Sequence, residues 1–154
     1  MENKKPLSAP KIPVSWGELI DKITILEIKK TKISNEESLK NIEKELGYLV
    51  VIALPILLTT PVVKELKDSL SKVNLRLWQV EDDIRELELR GDFSSEFIRL
   101  ARSVYRLNDE RARLKKKIDH ELRSELSEEK GYKGGEWSEL VELKAKTIEF
   151  PLGS

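Results

Sequence analysis

Asn108, Arg111 and Lys115 recur at spacings of three and four along one predicted helix. They share the face that Phe97, Ala101, Val104, Ala112, Ile118 and Leu122 mark as the buried one. A guanidinium or an ammonium is not stable among such residues without a counter-charge, because desolvation of the unpaired ion is too costly. The chain must therefore supply carboxylates, a wet pocket or an anionic ligand. Two other helical segments carry polar residues at apolar edges. Glu27 and Lys30 stand among Leu19, Ile20, Ile23 and Leu26, and Glu81 stands beside Leu77 and Ile84, with Arg85 and Glu88 following at spacings of four and three. Folding the two longest segments about a turn near Asp92 sets Glu81 across from Val104 and Asn74 across from Arg111.

The chemistry open to this set is capture of a phosphate or carboxylate by Lys30, Arg85, Asn108, Arg111 and Lys115. Glu81 or Glu27 is the candidate general acid or base if a reaction follows. No reaction type is legible in the residues themselves. The competing reading makes the same charges interhelical pairs that fix register in a non-catalytic interaction module. What favours a ligand is number: the cations and the amide exceed what Glu27 and Glu81 neutralise. A third reading, a metal-dependent nucleotide pyrophosphohydrolase, draws on Glu81, Asp82, Asp83 and Glu88, but it needs oxygen ligands converging on one ion, and Asp82 and Asp83 project outward. His120 is the only histidine, which excludes a multi-histidine metal site. The Lys115-Lys116-Lys117 band lacks the interleaved aromatics of a single-strand binder, and Gly134-Gly135 lacks the Lys-Ser/Thr of a phosphate loop. No pattern calls for a cofactor.

Composition narrows the classes further. Lysine plus arginine and aspartate plus glutamate number 28 each, giving zero net charge, which argues against a general nucleic-acid binder. There is no cysteine, so disulfides and thiolate chemistry are excluded and a reducing cytoplasm fits. The longest apolar run, 48–58, contains Pro55 and is far short of the roughly 20 residues that cross a bilayer. It is also too apolar to be left in water, which predicts a homodimer through this run or through the C-terminal tail.

The elements that must position these residues are four helices, predicted at 16–33, 36–54, 61–90 and 93–124. Ser15-Trp16-Gly17-Glu18 has the form of a capping box, Ser34-Asn35-Glu36-Glu37 repeats the signature, Thr60-Pro61 is an N-cap followed by proline at the first helical position, and Gly91-Asp92 is a stop followed by a new cap. The last two helices are joined so briefly that they form an antiparallel hairpin. The predicted fold is all-α, bundle-like, with a flexible arm over 1–13, a helical domain over 14–132 and a tail over 133–154 in which Trp137, Leu140 and Val141 centre a short helix or strand.

Four segments in order carry a resemblance: VSWGELIDKITILEIK (14–29), WQVEDDIR (78–85), FIRLARSVYRLNDER (97–111) and SELSEEKGY (124–132). Together they resemble a family of short, uncharacterised all-helical bacterial proteins, a domain of unknown function. The resemblance implies a compact helical domain and no particular activity. It adds Arg102 and Tyr105 to the candidate ligand-binding residues, beside Glu18, Asp21, Lys22, Asp82, Asp83 and Asp109 at matching places.

Overall fold

The computed structural model describes residues 5–130. They form four helices, α1 (Trp16–Lys32), α2 (Glu36–Thr59), α3 (Pro61–Leu89) and α4 (Ser95–Glu121), with no strand among the described residues. The fold is an all-α bundle. Its spine is the α3–α4 hairpin, the most extensive of the helix pairs, and α1 packs against all three other helices.

The helix ends follow local chemistry. Ser15 caps α1, its side chain accepting from the Glu18 amide at 3.1 Å, and Asn35 caps α2 by accepting from Ser38 at 2.9 Å. In the box at Ser15, the Glu18 carboxylate is engaged elsewhere, by Lys115. At the far end of α3, Gly91 takes a left-handed φ of 64°. Its amide donates to Glu88 at 3.0 Å while the Asp92 amide donates to Leu87 at 2.9 Å. These two bonds are the Schellman closure that lets the chain reverse into α4.

One predicted boundary is wrong by several residues. Pro55 does not end α2, which continues to Thr59. Proline inside a helix costs about 3 kcal/mol, but Ile56 and Leu57, just beyond it, pack on the central core. Burying such side chains contributes roughly 1.5–3 kcal/mol each when complete, enough to carry the helix through. The corner into α3 is then a single residue, Thr60, which makes no side-chain cap bond although it precedes Pro61.

The core gathers Leu19, Ile20 and Ile23 of α1, Ala53 of α2, Val63 and Leu70 of α3, and Leu114 and Ile118 of α4. Ile28 on the other side of α1 is also buried and Ile25 half-buried, so that helix is covered on two faces. The inward stripe of α4 differs from the predicted one. Leu100, Leu107, Leu114 and Ile118 are its buried apolar residues, whereas Ala101 is exposed. Leu100 beside Ala101 and Leu114 two residues past Ala112 take the inward places, since a leucine buries more apolar surface than an alanine.

Candidate polar groove

Four carboxylates and two cations meet where the first turns of α1 cross the last turns of α4. Asp21 of α1 is 1% exposed. Its Oδ1 accepts from Arg111 Nε at 2.9 Å and its Oδ2 from Arg111 Nη2 at 2.6 Å, a bidentate pair. Asn74 of α3 donates through Nδ2 to Asp21 Oδ1 at 2.9 Å and to Thr24 Oγ1 at 2.8 Å. The Arg111 guanidinium is raised above its ordinary pKa, chiefly by the hydrogen bonds to Asp21, with burial opposing.

One turn along, Lys115 is buried with its Nζ between two carboxylates, 2.6 Å from Glu18 and 3.0 Å from Glu128. Burial disfavours its charge, but those two hydrogen bonds outweigh burial and the net shift is upward. A further turn on, Asp119 is 3% exposed. It accepts from the Gly17 amide at 2.6 Å and from the Glu128 amide at 2.9 Å. Ser124 Oγ accepts from the Trp16 amide at 3.2 Å. The first three amides of α1, which have no partner inside their own helix, are thus taken by Ser124, Asp119 and Ser15. A carboxylate beside that helix start also meets the positive end of its dipole. The approach is close enough to demand glycine at 17, where a Cβ would lie 2.4 Å from the Lys115 carbonyl oxygen.

After α4 the chain folds back along it. Arg123 adopts a left-handed φ of 48°, Glu128 reaches Lys115, and Lys130 pairs with Asp109 at 2.7 Å. Among the described residues, no buried side-chain nitrogen or oxygen is left without a partner.

Two solvent-open cavities flank this network. The larger, about 560 Å³, is walled by Val104, Tyr105, Asn108, Asp109, Arg111, Ala112, Lys115, Glu128 and Lys130. The second, about 500 Å³, lies between α1, α3 and α4 and is walled by Ile25, Ile28, Asn74, Leu77, Trp78, Glu81, Asp82, Arg85, Asn108 and Arg111. Asn108 and Arg111 belong to both. Tyr105 at the outer rim has its phenol held below the usual range by hydrogen bonds from Arg106 and Arg102. The Arg106 guanidinium carbon stands 5.9 Å from the ring centroid.

Of the nine residues singled out from sequence, Tyr105, Asn108, Arg111 and Lys115 meet at the first cavity, and Glu81 and Arg85 join Asn108 and Arg111 at the second. Arg102 is exposed and reaches the groove through Tyr105. Glu27 and Lys30 line neither cavity. Glu27 takes Lys67 of α3 at 2.7 Å and Lys30 takes Glu43 of α2 at 3.2 Å, because six or more residues along α1 turn their side chains away from the Asp21 face. Glu81 is exposed and pairs with Arg85 of its own helix at 3.7 Å. The cations prove to be matched, since Asp21, Glu18 and Glu128, none of them counted in the sequence argument, neutralise Arg111 and Lys115. The metal-site reading finds no support in the donor set. Among the described residues no three His, Cys, Asp or Glu side chains gather closely enough to hold an ion, and Asp83 accepts from Gln79 along its own helix.

Asp21 and Asp119 carried a signal that was readable. Asp21 recurs with Thr24 and Ile28 at spacings of three and four, and Asp119 continues Arg111 and Lys115 at spacings of four. Glu128 carried none, since it lies beyond the helix whose geometry would have placed it.

A family described as "Family of unknown function (DUF6165)" matches residues 10–138, and the chain belongs to it. No curated protein and no solved structure matches the chain.

Proposed function

We propose that this member of a family without an assigned activity is a small binding protein whose groove between α1, α3 and α4 takes up the phosphate or carboxylate group of a small molecule. The observation that supports the reading is the way Arg111 is held. Asp21 fixes its Nε and Nη2 edge, and Arg111 walls both cavities. A guanidinium oriented by a buried carboxylate offers its free donors without further loss of side-chain entropy. Because Arg111 and Lys115 are both already neutralised, the groove suits at most one anionic group, held by hydrogen bonds, and not a polyphosphate. Glu81, on the wall of the second cavity, is the residue placed to move a proton if the bound molecule reacts. A cysteine-free chain of this kind fits the cytoplasm.

The test is thermal shift of the full chain with inorganic phosphate and with citrate, against sodium chloride at equal ionic strength. A rise in Tm that saturates with one of these anions and is lost in Asn108→Leu, which leaves the Asp21–Arg111 pair intact, supports the reading. No saturable shift with either anion at millimolar concentration overturns it.

A second reading, a non-catalytic assembly module in which the polar network only fixes helix register, is favoured by one observation. In a chain that is 36% charged, residues 46–63 contain no charged side chain, and much of that stretch faces outward.

A further inference from the structure

Helix α2 is apolar on two opposite sides. Leu46, Leu49, Val50, Ala53, Ile56 and Leu57 face the core, while Tyr48, Val51, Ile52, Leu54 and Leu58, with Val62 just past the corner, are between 46% and 75% exposed. A helix with apolar residues all round belongs inside something. We infer that the outer face of α2 is the interface of a homodimer in which two copies of the helix pack antiparallel about a two-fold axis near Pro55. This rests on the assembly reading of the same face.

Area favours a second copy as the occupant. The six exposed side chains leave on the order of 600 Å² of apolar surface in water, so two copies bury on the order of 1,200 Å², the lower limit for a specific interface. Direction follows from charge. Lys44, Tyr48, Val51, Pro55 and Leu58 form one stripe at alternating spacings of four and three. A parallel pair would set each Lys44 against its own copy, whereas the antiparallel pair sets Ile52 against Leu58 and Val51 against Thr59. Gly47 stands at the edge of the stripe with nothing within 4 Å of the position a Cβ would take, so the backbones are free to approach. A lipid surface fits less well. The charged residues on the N-terminal half of α2 are Glu36, Glu37, Lys40, Glu43, Lys44 and Glu45, a net acidic set without the cationic rim of an interfacial helix.

The chain has no cysteine, so introduced thiols report cleanly. Sedimentation equilibrium of the full chain should give a dimer at micromolar concentration, and Val51→Glu should shift it to monomer with an unchanged helical circular dichroism spectrum. With a short bis-maleimide, Pro55→Cys should link to its own copy. Val51→Cys should link more readily when mixed with Thr59→Cys than to its own copy. A dimer with a different linking pattern overturns the antiparallel geometry and leaves the assembly reading standing. A full-chain monomer at high micromolar concentration overturns the inference, as does binding of the monomer to anionic phospholipid vesicles in its place. An intramolecular link between Val51→Cys and Trp137→Cys in a monomer also overturns it and assigns the face to the chain's own C-terminal segment.

Discussion

The α1–α4 junction and the outer face of α2 solve opposite problems. At the junction, Asp21, Lys115 and Asp119 are taken out of water, and each is matched by two or more hydrogen bonds from different parts of the chain. On α2, Val51 and Leu58 stay in water at 74% and 75% exposure with nothing described against them. The junction is complete within one chain. Its charges set which helices meet and in what register, since a carboxylate with three bonds in fixed directions tolerates less sliding than a leucine does. The outer α2 face is left uncovered by the described residues, and its apolar side chains fix no geometry there.

The largest effect should come from stranding the most buried charge. Arg111→Met leaves Asp21 without its bidentate partner and should destabilise by about 3–5 kcal/mol in denaturant unfolding, with Asp21→Leu in the same chain recovering much of the loss. A loss below about 1 kcal/mol would place the junction with ordinary surface pairs and dissolve the contrast.

Two glycines sharpen it next. Gly17→Ala drives a methyl into the Lys115 carbonyl and should cost about 1–3 kcal/mol by forcing α1 and α4 apart. Gly47→Ala meets nothing, and in a helix interior should stabilise the monomer by about 0.5–1 kcal/mol. Equal effects at the two sites would remove the distinction.

The pH dependence of the junction has a definite sign. The folded-state pKa of Lys115 is raised, by Glu18 and Glu128 against burial, so its contribution is complete below the unfolded lysine value of about 10.4 and is lost as pH climbs through the folded one. The stability difference between the parent and Lys115→Met should therefore be level from about pH 7 to 9 and shrink above that range. A difference that instead shrinks toward low pH, before the carboxylates protonate, would contradict the assignment. The smallest effect belongs to the seam between the two regions. Lys22 and Glu45 pair at 2.6 Å with both side chains about half exposed, and Lys22→Met should change stability by no more than about 0.2–1 kcal/mol.

Much of the scaffold was legible because helix starts and reversals are local. Ser15, Asn35 and Gly91 announce their roles within four residues. The end of α2 was not, because a proline's local cost was outweighed by packing of Ile56 and Leu57 against residues distant in sequence. At the groove, helical spacing placed Asn108, Arg111 and Lys115 on one face. It failed to supply their partners, since an aspartate on a helix reads as solvated until another helix is known to cover it. The hairpin register sets Asn74 across from Arg111, and Asp21 stands between them. The register of α3 against α4 carries no trace of the α1 carboxylate that enters between them. Glu27 and Lys30 stand among the apolar residues of α1 in sequence, yet helix rotation carries them away from the Asp21 face to Lys67 and Glu43.

The bond between the Gly17 amide and Asp119 joins residues 102 apart in sequence. Closing so long a loop is entropically late, while the α3–α4 hairpin assembles from neighbours. Contacts made after the rate-limiting step govern how long the native state lasts, with little influence on how fast it forms. The clasp at the start of α1 is in that sense a timer on the folded molecule. In stopped-flow experiments Asp119→Asn should raise the unfolding rate while leaving the folding rate almost unchanged, so a defect at this one seam would pass unnoticed in refolding yield and surface as a shortened lifetime against proteolysis.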